Sequence, residues 1–126
     1  MFPEHGSVAA MALLQQVQRG SLNLLAPDLF VAEVLSIAWK KCALKREITQ
    51  QEAHEACTAV LAVAPRLVPS SLLWQQALAI GAVHRRSTYD CLYVALALSE
   101  RCDLITADRT LVTALNPVFG CLRCLD

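Results

Sequence analysis

The stretch Ser87-Thr88-Tyr89-Asp90-Cys91-Leu92-Tyr93-Val94-Ala95-Leu96-Ala97, followed by Leu104-Ile105-Thr106-Ala107-Asp108-Arg109, decides how the rest of the chain is read. It spells a helix, a short loop and a strand, with one carboxylate near the helix start and another just past the strand. Between Asp90 and Arg101 apolar residues crowd nearly every position, which predicts a helix buried over most of its surface. A carboxylate buried there without a partner would be costly or forced to stay protonated, so Asp90 calls for a partner or a role. The run Leu104-Ile105-Thr106-Ala107 reads as a buried strand. Asp108 then falls at a strand's carboxyl end, where open α/β sheets place their ligand crevice.

Upstream, Ser7 serves as an N-cap for a helix from Val8 to Arg19, with Gly20 as its stop signal. Leu22 to Ala26 reads as a short buried strand ended by Pro27, and proline is tolerated at the start of the next helix. That helix is expected from Asp28 to Leu44, with Phe30, Val34, Ile37 and Ala38 on one side. Thr49-x-x-Glu52 is a capping box for a helix continuing to Ala64, before Pro65. Leu67-Val68 is a short strand candidate. Ser70 and Ser71 offer caps for a helix through Leu72, Leu73, Ala77 and Ile80, whose weak point is Gly81. The Ser87–Arg101 helix and the Asp103–Ala107 strand follow, then a short helix from Arg109 to Leu115, a turn at Asn116-Pro117 and a last strand from Val118 to Leu125. Helices separating short apolar strands indicate an α/β fold with a mainly parallel sheet flanked by helices.

At 126 residues the chain suits a single domain, 1–126, with a sizeable core. Its 56% hydrophobic content exceeds the usual share of about 45–50%, and an apolar oligomer interface would account for the excess. No apolar run is long enough for a membrane span. Eleven basic and eleven acidic residues cancel, so no global field draws the protein to nucleic acid, and any contact with RNA must come from local patches. The first residues lack a basic segment followed by an apolar one, which predicts a cytoplasmic protein with reduced thiols. Cys42, Cys57, Cys91 and Cys102 are expected as small core residues. Cys121 and Cys124 would face opposite sides of a strand, which argues against chelation by that pair.

The run Tyr89-Asp90-x-x-Tyr93-x-Ala95-x-Ala97, with Thr106-Ala107-Asp108-Arg109-x-Leu111, resembles the C-terminal half of PIN domains, especially the VapC-like toxin ribonucleases. Ala26-Pro27-Asp28-Leu29-Phe30-Val31-Ala32-Glu33-Val34 resembles the helix that carries the family's Pro-x-Leu-x-x-x-Glu pattern. The resemblance spans Phe2 to about Leu115 and implies a PIN-like three-layer fold. It further implies RNA phosphodiester hydrolysis dependent on Mg²⁺ or Mn²⁺, with Glu33, Asp90 and Asp108 as metal ligands and catalytic acids. Clustered carboxylates persist together only with a cation, a shared proton or basic partners, and oxygen-only ligands favour such hard ions. A small antitoxin protein covering the crevice is a further implication.

One feature departs from the family pattern. PIN domains carry a first acid, an Asp, on a first strand at the centre of the sheet, and Met1-Phe2-Pro3-Glu4 matches the segment that follows it. The fold is therefore expected to lack the usual first strand. The Leu22–Ala26 and Asp103–Ala107 strands must then pair directly, or another chain must fill the gap, which predicts a tight homodimer, with exchange of elements as one form it can take. Loss of that acid also predicts reduced activity, or a catalytically inactive dimeric binding module.

Each residue has a plainer reading as well. Glu33 can complement its helix N-terminus, Asp90 can pair with Arg86, Asp108 can cap the helix beginning at Arg109, and Thr106 or Ser87 can orient a water. The cationic cluster Lys40, Lys41, Lys45 and Arg46 reads as a solvated helix end, with Arg85-Arg86 close to the acids as a possible phosphate contact. His5, His54 and His84 have no ligand spacing. Trp39 and Trp74 are expected in the core or an interface.

Overall fold

The computed structural model describes residues 24–63, 65–106 and 108–124. The helix expected at Val8 to Arg19, and Met1 to Glu4, lie outside those residues. Strand β1, Leu25–Pro27, runs parallel to β2, Arg66–Val68, with Leu25 opposite Arg66 and Pro27 opposite Val68. Pro27 lacks an N–H to donate, and it is tolerated because it closes the strand. The next residue resumes the ladder, as the Asp28 N–H donates to the Val68 carbonyl.

Helix α1, Leu29–Trp39, turns Val34 and Ala38 inward and widens into a π-turn at Lys40–Leu44. Helix α2, Gln50–Ala62, opens with a complete capping box. The Thr49 hydroxyl accepts from the Glu52 N–H, and the Glu52 carboxylate accepts from the Thr49 N–H. Such reciprocal bonds satisfy two donors that a helix N-terminus otherwise leaves free.

Helix α3, Trp74–His84, and helix α4, Thr88–Glu100, form the most extensive helix pair, and Gly81 sits where they approach. A Cβ at position 81 would lie 3.0 Å from the Arg86 carbonyl oxygen and 3.6 Å from the Cys91 sulfur. The glycine that weakens α3 as an isolated helix is therefore what lets it pack. Ser87 caps α4 by accepting from the Asp90 N–H. Arg85 and Arg101, both left-handed, end α3 and α4.

Strand β3, Leu104–Thr106, is parallel to β4, Leu122–Cys124, and helix α5, Arg109–Phe119, connects them. The core gathers Leu73, Ala77, Ile80, Cys91, Val94, Ala95, Leu96, Leu111, Leu115 and Leu122, so α4 lies at its centre. Helix α4 also packs against both β1 and β3. Those two strands belong to separate parallel pairs and, among the described residues, do not bond to each other. Of the two arrangements expected, direct pairing or a gap filled by another chain, direct pairing is not observed.

Other sequence expectations shift for identifiable reasons. Helix α5 continues through Pro117 to Phe119 instead of turning at Asn116-Pro117. It ends at Gly120, whose positive φ of 71° suits glycine, while the Asn116 side chain accepts from the Leu122 N–H. A proline near the last turn removes one bond of the helix without blocking its exit. The final strand is correspondingly short. Neither Ser70 nor Ser71 caps α3, because a 3₁₀ turn at Ser70–Leu72 intervenes. Trp39 and Trp74 are each 53% exposed, outside the core. Of the cysteines expected inside, Cys91 is fully buried, Cys42 and Cys57 are half-buried and Cys102 is exposed. Cys102 lies two residues past the end of α4, just beyond its Arg101 cap.

Candidate active site

Asp90 and Tyr93 lie three residues apart on α4, so they share one face of that helix. Glu33 comes from the second turn of α1. The Tyr93 hydroxyl donates a hydrogen bond to Glu33 Oε1 and joins the two helices. Burial pushes the Tyr93 phenol well above its ordinary range, and the bond to Glu33 and its negative charge push it further. The phenol is therefore a neutral donor at any pH at which the protein works.

Glu33, Asp90 and Tyr93 line one cavity of about 220 Å³ together with Leu104, Ile105, Thr106 and Leu111. Successive strand residues face opposite sides of a sheet. A cavity bordered by all three residues of β3 must therefore run along the strand's edge, away from β4. Two of the three acids singled out in the sequence are thus brought together from positions 33 and 90. Asp90 is half-buried and Glu33 exposed, so neither carboxylate is stripped of water. Arg86 and Asp90 form no ion pair, and the surface-pattern reading of Asp90 is not realised.

Asp108 is placed differently. Its Oδ1 accepts from the Leu111 N–H at 3.0 Å, and its own N–H donates to the Thr106 hydroxyl at 3.1 Å. It is the N-cap of α5, the plainer role open to it from the sequence. Both bonds attach it to cavity-lining residues, so it stands beside the cavity with its second oxygen uncommitted by the cap. Thr106 both lines the cavity and bonds to this acid, whereas Ser87 is occupied in capping α4.

Among the described residues, no group of three or more His, Cys, Asp and Glu side chains is close enough to hold a metal ion. The donors that line the cavity nevertheless fit a hard divalent cation in kind, because Glu33, Asp90, Tyr93 and Thr106 all present oxygen. Tyr93 had no role of its own in the sequence pattern. Its signal was the spacing to Asp90, which sets both on one helical face, but its partner 60 residues away could not be read from the chain.

A second polar link lies at the ends of β1 and β2, where the Ser70 hydroxyl donates to Asp28 Oδ1. This bond holds the Asp28 carboxyl below its ordinary value. Cys91 is chemically quiet, as burial and the neighbouring Asp90 charge push its thiol up. The Lys40, Lys41, Lys45 and Arg46 cluster occupies the π-turn at the end of α1 and the loop beyond, the solvated helix end anticipated.

A sequence model of the PIN domain family matches residues 2–114. No individual characterised protein is similar enough in sequence to be matched. Among the described residues, no helix is long and apolar enough to cross a membrane.

Proposed function

Because the chain belongs to the PIN domain family, whose fold is of the nuclease type, we propose that it is a metal-dependent endoribonuclease of the VapC kind. In this reading Glu33, Asp90 and Asp108 are its working acids. One observation carries the proposal: carboxylates from α1 and α4 border a single cavity along β3, where Tyr93 and Thr106 add hydroxyls to a wall completed by Leu104, Ile105 and Leu111. A cavity with two carboxylates repels a phosphodiester unless a cation offsets their charge. A bound Mg²⁺ or Mn²⁺ would supply that charge and an activated water for hydrolysis of RNA.

Each residue's part follows from its position. Asp90 presents its carboxylate from α4, and Glu33 borders the same cavity from α1. Thr106 offers a hydroxyl at the cavity wall. Asp108 keeps one oxygen on its helix cap, and its other oxygen is the one that would be available to an ion. A small antitoxin covering the cavity and a homodimeric assembly belong to the same proposal.

A second reading is favoured by Asp108, which is engaged as a helix cap and does not line the cavity. With two acids in place the protein would be a catalytically inactive PIN-like dimeric binding module. Calorimetric titration with Mn²⁺ separates the two. The enzyme reading expects saturable binding that disappears in the Asp90→Asn, Asp108→Asn double variant, and Mn²⁺-dependent cleavage of single-stranded RNA by the wild type. No binding at millimolar Mn²⁺ would give the module reading the lead.

A further inference from the structure

We propose that Tyr93 is the positioning residue of this cavity, holding Glu33 in the orientation in which it and Asp90 act on one cation. The inference rests on the ion-binding reading above and concerns how that site is assembled. Glu33 is exposed on α1 next to the buried Val34, and no cation or backbone donor among the described residues holds its carboxylate. A free glutamate side chain samples many rotamers, and fixing it for a ligand costs conformational entropy. Tyr93 has only two side-chain torsions and is half-buried, so its hydroxyl is a rigid anchor.

The bond takes Oε1 and leaves Oε2 for a ligand. Because Tyr93 lies one turn beyond Asp90, α4 carries one carboxylate directly and fixes the second through the phenol. The separation of the two acids is then set by one helix, although they come from different parts of the chain.

The experiment is Mn²⁺ titration by calorimetry of wild type, Tyr93→Phe, Glu33→Asp, the double variant, and Val94→Ala as a control. Val94 is buried on α4 and makes no contact with Glu33 through a polar group, so its truncation loosens the same helix without removing the anchor. Losing one hydrogen bond to a carboxylate predicts Mn²⁺ affinity weaker by roughly three- to tenfold in Tyr93→Phe. Val94→Ala should stay within about twofold of wild type by the same scale. Glu33→Asp keeps the charge but draws it out of the phenol's reach, so adding Tyr93→Phe to it should cause no further loss.

Three results would overturn the proposal while leaving the site intact: unchanged affinity in Tyr93→Phe, an equal loss in Val94→Ala, or a further loss when Tyr93→Phe is added to Glu33→Asp. Absence of Mn²⁺ binding by the wild type would overturn the ion-binding reading and this inference with it.

Discussion

Around α4 the buried side chains include the large Leu73, Ile80, Val94, Leu96, Leu111, Leu115 and Leu122 beside the small Ala77, Cys91 and Ala95. Around α1 and α2 they are Ala26, Val34, Ala38 and Ala53, while Val31, Leu35, Trp39 and Leu44 are exposed. A fully buried leucine or valine contributes about 1.5–3 kcal/mol from its apolar area, and an alanine far less. The region that carries Asp90, Tyr93, Thr106 and Leu111 is therefore the firm one, and the region that carries Glu33 is lightly packed. The cavity lies at the seam between them. A site split in this way needs a tether across the seam, and among the described residues the Tyr93 hydroxyl bonded to Glu33 supplies one.

The contrast can be broken by truncation. Leu115 is 1% exposed and Leu35 is 63% exposed. Leu115→Ala should cost about 2–5 kcal/mol in chemical denaturation, whereas Leu35→Ala should stay within about 0.5 kcal/mol. An equal cost at both positions would mean that the exposed face of α1 is covered in solution, as a dimer would cover it.

Gly81→Ala sharpens the account of the firm region. The added methyl would press on the Arg86 carbonyl, which backbone geometry cannot easily move. A loss of about 1–3 kcal/mol is expected. A gain, as helix propensity alone predicts for an exposed position, would show that α3 and α4 have room to part.

The smallest effect belongs to the lightly packed region. Ser70→Ala removes the donor that holds Asp28 below its ordinary value. A carboxylate with a depressed folded-state value stabilises the fold above its unfolded-state value. It loses that contribution as the pH falls through the folded-state value. Melting curves should therefore place Ser70→Ala below wild type at neutral pH and bring the two together well below the carboxylate range. A difference that persists in acid would assign the effect to packing instead.

Much of this was legible in the chain itself. Thr49-x-x-Glu52 announced a capping box because its bonds are local, and both form. Ser87 marked the start of α4, and the apolar crowding from Cys91 to Ala97 matched its burial, because a helix repeats its environment every few residues. Asp108 was readable as a cap for the same local reason.

What escaped the sequence depended on distant neighbours. Gly81 looked like a weakness and serves as the contact point of two helices. Trp39 and Trp74 were readable as core or interface residues, and the fold of the single chain leaves both exposed, outside its core. Pro117 looked like a helix end and lies within α5, where the Gly120 cap and the Asn116 bond to Leu122 decide the exit.

The same division holds for the site. The chain by itself determined which carboxylates stand at the start of a helix or after a strand, since hydrophobic period and capping act over a few residues. Only the tertiary structure decided that Glu33 and Asp90 share a cavity, that Tyr93 joins them and that Asp108 stands beside it. Those relations come from α4 packing against both β1 and β3, and no local pattern encodes how far apart two strands will lie.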